Sequence, residues 1–126
     1  VCDLVRAGLP YVATHPDFNC PTETGFAPDI GAIIAFIEAS AGRRPDVILG
    51  KPYAGIVEEA LALTGLEKHE LAMVGDRLYT DIATGLNFGI LCILVLTGEA
   101  GEADIAATGI RPDLIFERLS AMNLYL

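Results

Sequence analysis

By type and position, two aspartates and one lysine are the residues of this chain best suited to do chemistry. Asp76 and Asp81 stand five residues apart in AMVGDRLYTDIATGL, residues 72–86, directly after an apolar run. Lys51 follows another such run in DVILGKP. On a continuous α-helix, five residues at 100° each separate two side chains by about 140°, so the aspartates would not share a face and must act from different elements. Asp76 falls in a strand-end loop, where a carboxylate is a ready oxygen ligand for Mg²⁺, an ion that takes few carboxylates together with water and substrate phosphate. Asp81 falls in the first turn of the following helix, where the backbone dipole favours its charge and where it could hold Lys51 or a metal-bound water. Lys51, a compact cation with three donors, could neutralise a phosphate oxygen or an attacking carboxylate. Each residue also has an ordinary structural alternative: an acid near a helix start is commonly a cap, and a loop lysine is commonly a solvated surface group.

These residues need elements to carry them, and the apolar pattern supplies a sequence of them. VCDLVRAG has the pattern of a short helix closed by Gly8, and Tyr11–Thr14 that of a β-run stopped at His15-Pro16. Residues 15–25 are rich in Pro, Asn, Asp and Thr and predict a loop. Ile30, Ile33, Ile34, Ile37 and Ala41 recur at helical spacing, with Pro28 suited to a first turn, Gly42 suited to a stop, and the isoleucine stripe assigned to the core. A strand at DVIL, a helix at AGIVEEALALTGL, a strand at ELAMVGD, a short helix at YTDIATGLNFG and a strand at ILCILVL follow. A helix to about Thr108, a strand at RPDLIF and a terminal helix at residues 117–126 complete the chain. Strands without polar interruption belong to parallel sheets covered on both faces. The alternation predicts an α/β fold with a partial doubly wound, Rossmann-like parallel sheet, in which ligands collect beyond the carboxyl ends of the strands. If the strands before Lys51 and Asp76 are parallel neighbours, both residues lie on one rim.

Bulk properties narrow the classes. At 126 residues, 52% hydrophobic and 20% charged, the chain has the composition of one folded α/β domain. Its net charge of −9, with no basic cluster larger than Arg43-Arg44, argues against a nucleic-acid partner. Its apolar runs are shorter than the roughly 18–20 residues that span a bilayer, and no cationic and apolar leader opens it, so the expectation is a soluble, cytoplasmic protein with no membrane partner. Cys2, Cys20 and Cys92 lack ligand spacing and fit reduced thiols rather than a zinc site. His15 and His69 lack a partner at metal or nucleophile spacing and are assigned structural or surface roles. Gly50-Lys51-Pro52 lacks the earlier glycine and the Ser/Thr of a P-loop.

Taken together, GKP, the GDRLYTD stretch and ILVLTGEA resemble the haloacid-dehalogenase-like (HAD) hydrolases, specifically the nitrophenylphosphatase branch that carries an α/β cap. Lys51 matches that family's third motif, and Gly75, Asp76, Thr80 and Asp81 match its fourth, G-D-x-x-x-T-D. ATHPD resembles the A-T-N-P-D of relatives, with His15 in place of Asn. The resemblance implies that residues 1–45 are the tail of the cap and 46–126 the C-terminal half of the core. It implies Mg²⁺-dependent hydrolysis of small phosphomonoesters through an aspartyl-phosphate, with Asp76 on the metal, Lys51 balancing charge, and Asp81 in support. It also implies that Asn19, Cys20 and Pro21, in a cap loop, face the leaving group. The family's D-x-D is missing: no aspartate here has another two positions on, and the Ser/Thr of the second motif is missing too. The resemblance therefore covers two motifs of four, and the chain alone is expected to be inactive. Two other readings are a non-catalytic remnant that binds Mg²⁺ and phosphate, and a receiver-like signalling module. The second is disfavoured because its Lys-Pro would follow the acidic pair rather than precede it. A half-built sheet would also expose apolar surface that invites association between copies.

Overall fold

A computed structural model describes residues 1–125 and resolves the chain into two compact units, Val1–Tyr53 and Ala54–Leu126. The fold is mixed α/β with parallel strands, a partial Rossmann-like arrangement.

In the first unit, helix α1 (Cys2–Arg6) packs on helix α2 (Ile30–Ala41), joined by Arg6 Nη2 donating to the Ser40 carbonyl at 2.7 Å. Of the isoleucine stripe, Ile34 and Ile37 are buried while Ile33 is 48% exposed, so the core face of α2 is narrower than the sequence pattern predicts. Strand β1 (Val12–Ala13) pairs in parallel with β4 (Val47–Ile48). The pairing is extended by a staple: Asp46 accepts the Tyr11 N–H at 2.8 Å and an ion pair from Arg43 at 2.7 Å.

The segment predicted as a loop contains an antiparallel hairpin, β2 (Asn19–Thr22) and β3 (Gly25–Pro28), with Cys20 opposite Ala27 and Pro21 opposite Phe26. Pro21 is tolerated because a two-stranded ribbon has free edges where a missing donor costs nothing. Pro28 ends β3 rather than opening α2, and Asp29 is the N-cap, its carboxylate accepting the Ile30 N–H at 2.8 Å. The His15 ring faces that same Asp29 carboxylate at 3.6 Å, which ties the residues after β1 to the start of α2.

In the second unit, helix α3 (Gly55–Thr64) ends at Gly65 with φ 70°, the left-handed conformation glycine adopts without strain. A 3₁₀ turn (Lys68–Glu70) takes up the start of the predicted strand, so β5 is only Ala72–Gly75. Strands β5, β6 (Leu91–Val95) and β7 (Leu114–Phe116) form a parallel sheet in sequential order. Central β6 buries Cys92 through Val95, which explains its unbroken apolar sequence. Ile82, Leu78, Cys92, Leu94 and Ala100 make the core, with Ile105 of helix α5 (Glu102–Thr108) against it. At the lower edge, Asp113 pins β6 to β7 by accepting the Cys92 N–H at 2.8 Å. The predicted terminal helix is a 3₁₀ segment, Leu119–Leu124, and its last residue, Leu126, lies outside the described residues. No described helix is long and apolar enough to cross a membrane.

Candidate active site

The upper rim of the β5–β6–β7 sheet is where the chemistry-bearing residues of the second unit gather. β5 ends at Gly75, and the chain passes through Asp76 and Arg77 into a π-helix, Leu78–Ile82, before α4 (Ala83–Phe88). The π-turn alters the expected geometry. Its Ile82 N–H bonds to the Arg77 carbonyl, an i→i+5 link, so a spacing of five brings a residue back over its predecessor. Asp81 therefore turns back onto the end of β5 instead of standing about 140° away as on an α-helix. Its Oδ2 accepts the backbone N–H groups of Asp76 at 3.2 Å and Arg77 at 3.1 Å, and the side chain is buried at 3% exposure. The space it occupies is the space a side chain on Gly75 would need: a Cβ there would collide with the Asp81 carboxylate. Asp81 is thus a cap for the loop and a charge held at the site, and the two alternatives left open by the sequence coexist in one residue.

Asp76 is gripped from the other side. The turn after β6, residues 97–100, donates the Glu99 N–H to Asp76 Oδ2 at 2.9 Å and the Ala100 N–H to the Asp76 carbonyl at 3.0 Å. Gly98 lies flush against the Asp76 carboxylate, where any Cβ would clash. Glu99 also takes the Arg77 guanidinium, Nε to Oε2, at 2.8 Å. Sequence reasoning missed Arg77, Gly98 and Glu99. The only signal for them was the run TGEA directly after a buried strand, and its meaning depends on β6 lying beside β5.

Asp76 Oδ1 accepts no hydrogen bond among the described residues, so one lone-pair face of the carboxylate is available for a cation. Among the described residues, no three His, Cys, Asp or Glu side chains assemble into a ligand set. A hard oxygen donor with few protein partners suits Mg²⁺, which completes its shell with water and phosphate, better than zinc. A hollow of about 160 Å³ beside the loop, lined in part by Leu78, Tyr79 and Glu99, falls below the roughly 300 Å³ at which ligand sites begin, so it is not by itself room for substrate.

The structure therefore brings Asp76 and Asp81 together. Lys51 stands in the first unit, half-buried, two residues beyond Leu49, whose N–H continues the β1–β4 pairing at 3.0 Å. β4 pairs in parallel with β1, and the Asp46 staple and the Tyr11 carbonyl hold the two together. Asn19, Cys20 and Pro21 lie on exposed strand β2 rather than in a loop, because they pair with Pro28, Ala27 and Phe26.

Comparison with known proteins gives a consistent result. The family model described as HAD-hydrolase-like matches residues 48–122. An acid sugar phosphatase of Staphylococcus epidermidis is 43% identical over 116 residues, covering 92% of this chain and 44% of that protein. The crystal structure of 4-nitrophenylphosphatase from Thermotoga maritima matches with a TM-score of 0.89 at 51% identity, over 94% of this chain and 45% of that one. Glycerol phosphate phosphatase from Mycobacterium tuberculosis, solved in complex with calcium, matches with a TM-score of 0.85 at 32% identity, over 96% of this chain and 36% of that one. The chain spans less than half the length of each of these relatives.

Proposed function

The chain belongs to the HAD-like hydrolase family, and from that premise we propose that it is the part of a Mg²⁺-dependent phosphomonoesterase that supplies Asp76, Asp81 and Lys51. Residues 1–45 are assigned to the tail of a cap and residues 46–126 to the C-terminal half of the catalytic core. The observation that carries the reading is the double restraint on Asp76: one carboxylate oxygen and the main chain are held by backbone N–H groups, while Oδ1 is left to ligate. Restraint of this kind fixes the carboxylate before any ligand arrives, as a site that must act without rearranging requires.

In the proposed mechanism Asp76 would hold the cation, and Asp81 would keep the loop in place by accepting the Asp76 and Arg77 N–H groups. Lys51 balances negative charge on the phosphoryl group and on the carboxylate that attacks it. The bound Mg²⁺ would supply electrostatic stabilisation of the transferring phosphoryl oxygens. The attacking aspartate of the family's D-x-D is not in these 126 residues, so the chain alone is expected to give no turnover. Two relatives, an acid sugar phosphatase and a glycerol phosphate phosphatase, support a small sugar or polyol phosphate as substrate. Asn19, Cys20 and Pro21 would meet its leaving group.

The test is release of phosphate from 4-nitrophenyl phosphate and from a panel of sugar phosphates by the longer protein that contains this chain, with and without Mg²⁺. Asp76→Asn is expected to abolish Mg²⁺-dependent turnover while the protein stays folded. Full activity in that variant, or activity unchanged by removing divalent cations, would overturn the proposal.

A further inference from the structure

We propose that Arg77 and Glu99 are positioning residues for the cation-binding carboxylate of Asp76, an inference that rests on the reading of Asp76 given above. Glu99 grips two consecutive residues of the β5 loop: its backbone N–H holds Asp76 Oδ2 at 2.9 Å, and its carboxylate holds Arg77 Nε at 2.8 Å. The next residue, Ala100, holds the Asp76 carbonyl at 3.0 Å. Thr97, Gly98 and Glu99 are all exposed, and burial anchors the turn only at Ala100. The ion pair adds a link at the exposed end, between an Arg77 side chain that is 16% exposed and a Glu99 side chain that is 38% exposed.

The pair has a second consequence, through charge. A guanidinium one residue from Asp76 would raise the local potential and oppose a divalent cation. Glu99 offsets that charge where it arises, at 2.8 Å from Arg77 Nε. Arg77 can therefore fasten the loop with less repulsion of the ion while Glu99 is in place. Groups that orient a metal-binding residue in this way carry a large share of metal affinity although they never touch the metal.

The experiment is calorimetric titration of the intact, longer protein with MgCl₂ alone, alongside thermal unfolding without metal. Glu99→Gln, which keeps the shape and removes the charge, is expected to weaken Mg²⁺ binding about tenfold with little change in Tm. Steady-state rates should recover at saturating Mg²⁺, separating this effect from loss of a catalytic group. The exchanged pair Arg77→Glu with Glu99→Arg restores neutrality and the link, and is expected to regain most of the affinity. Asp76→Asn is the reference and should bind no Mg²⁺ at the site. If Glu99→Gln binds like the parent while Asp76→Asn does not bind, or if Glu99→Gln only lowers Tm, the positioning role is overturned and the reading of Asp76 stands. If Asp76→Asn binds Mg²⁺ like the parent, both fall.

Discussion

Two strand ends in this protein look alike in sequence and are built on different principles. β4 runs out through Gly50 to Lys51, and β5 runs out at Gly75 to Asp76. Both glycines are wedged against a neighbour that leaves no room for a Cβ. At Gly50 the neighbour is main chain, the Thr14 carbonyl, with His15 Cβ behind it at 3.0 Å. At Gly75 it is a side chain, the carboxylate of Asp81. The first glycine keeps two backbone segments close enough to pair, and the second makes space for a charged group at the rim. A small residue before a charged one therefore serves pairing in one unit and chemistry in the other.

Substituting the two glycines should separate these roles. In the proposed longer phosphatase, Gly75→Ala is expected to push Asp81 off the Asp76 and Arg77 N–H groups and lower kcat by on the order of 100-fold, the penalty of ångström-scale misplacement. Gly50→Ala should act first on folding, costing roughly 1–3 kcal/mol by overpacking against backbone that cannot move aside. Denaturant unfolding and steady-state kinetics on the same two variants check the pair. If Gly75→Ala keeps full activity, or Gly50→Ala keeps full stability, the distinction fails.

The contrast between side chain and backbone can be sharpened by relief. Trimming Asp81 to Ser in the Gly75→Ala background removes the obstructing atoms, so the double variant should be more stable than the sum of the singles by roughly 1–2 kcal/mol. No comparable trim exists for Gly50, because a carbonyl oxygen cannot be mutated away. Additive single effects at positions 75 and 81 in a double-mutant cycle would show that the two are not in contact. Asp81→Asn, which keeps the size but weakens the acceptor for two half-buried N–H groups, should cost about 1 kcal/mol on its own.

How far the sequence already disclosed this site follows from the range of the forces involved. Asp76 and Asp81 were readable because an apolar run, a glycine and an acid mark a strand end within a few residues. A parallel sheet was readable from the uninterrupted apolar run of β6, the strand the sheet buries. The return of Asp81 over the β5 loop was not readable, since nothing in LYTDI distinguishes a π-turn from the first turn of an α-helix. Glu99 was invisible for another reason: its partners Asp76 and Arg77 lie more than twenty positions away, and only the pairing of β5 with β6 brings them within hydrogen-bond range. The β2–β3 hairpin was hidden by Pro21, which weighs against a strand except at a free edge. The pairing of β4 with β1 was not readable because it depends on Asp46 reaching the Tyr11 N–H, 35 positions away.

The smallest expected effect compares two carboxylates that do the same work in the two units. Asp46 staples β1 to β4 and Asp113 staples β6 to β7, each by accepting a backbone N–H at 2.8 Å. Asp46 is held below the usual carboxylate range first by the Tyr11 N–H and then by Arg43. Asp113 is held below it first by the Cys92 N–H and then by the Cys92 thiol. A depressed folded-state pKa means that the unfolded chain takes up protons first as pH falls. The stabilisation is therefore complete above the ordinary carboxylate pKa near 3.9, and is lost as pH drops below about 4 toward the folded value. Both groups are solvent-facing, so the loss is small and screened by salt. Asp113→Asn and Asp46→Asn should each flatten the fall in stability below about pH 4, measured by urea unfolding at a series of pH values. The Asp46 variant should also lose part of the salt sensitivity, because Arg43 reinforces that staple with an exposed ion pair while Asp113 relies on a neutral N–H and a thiol. Equal salt responses in the two variants would mean that the two staples are held by the same balance of forces, and the difference between the units would then be confined to what stands behind their glycines.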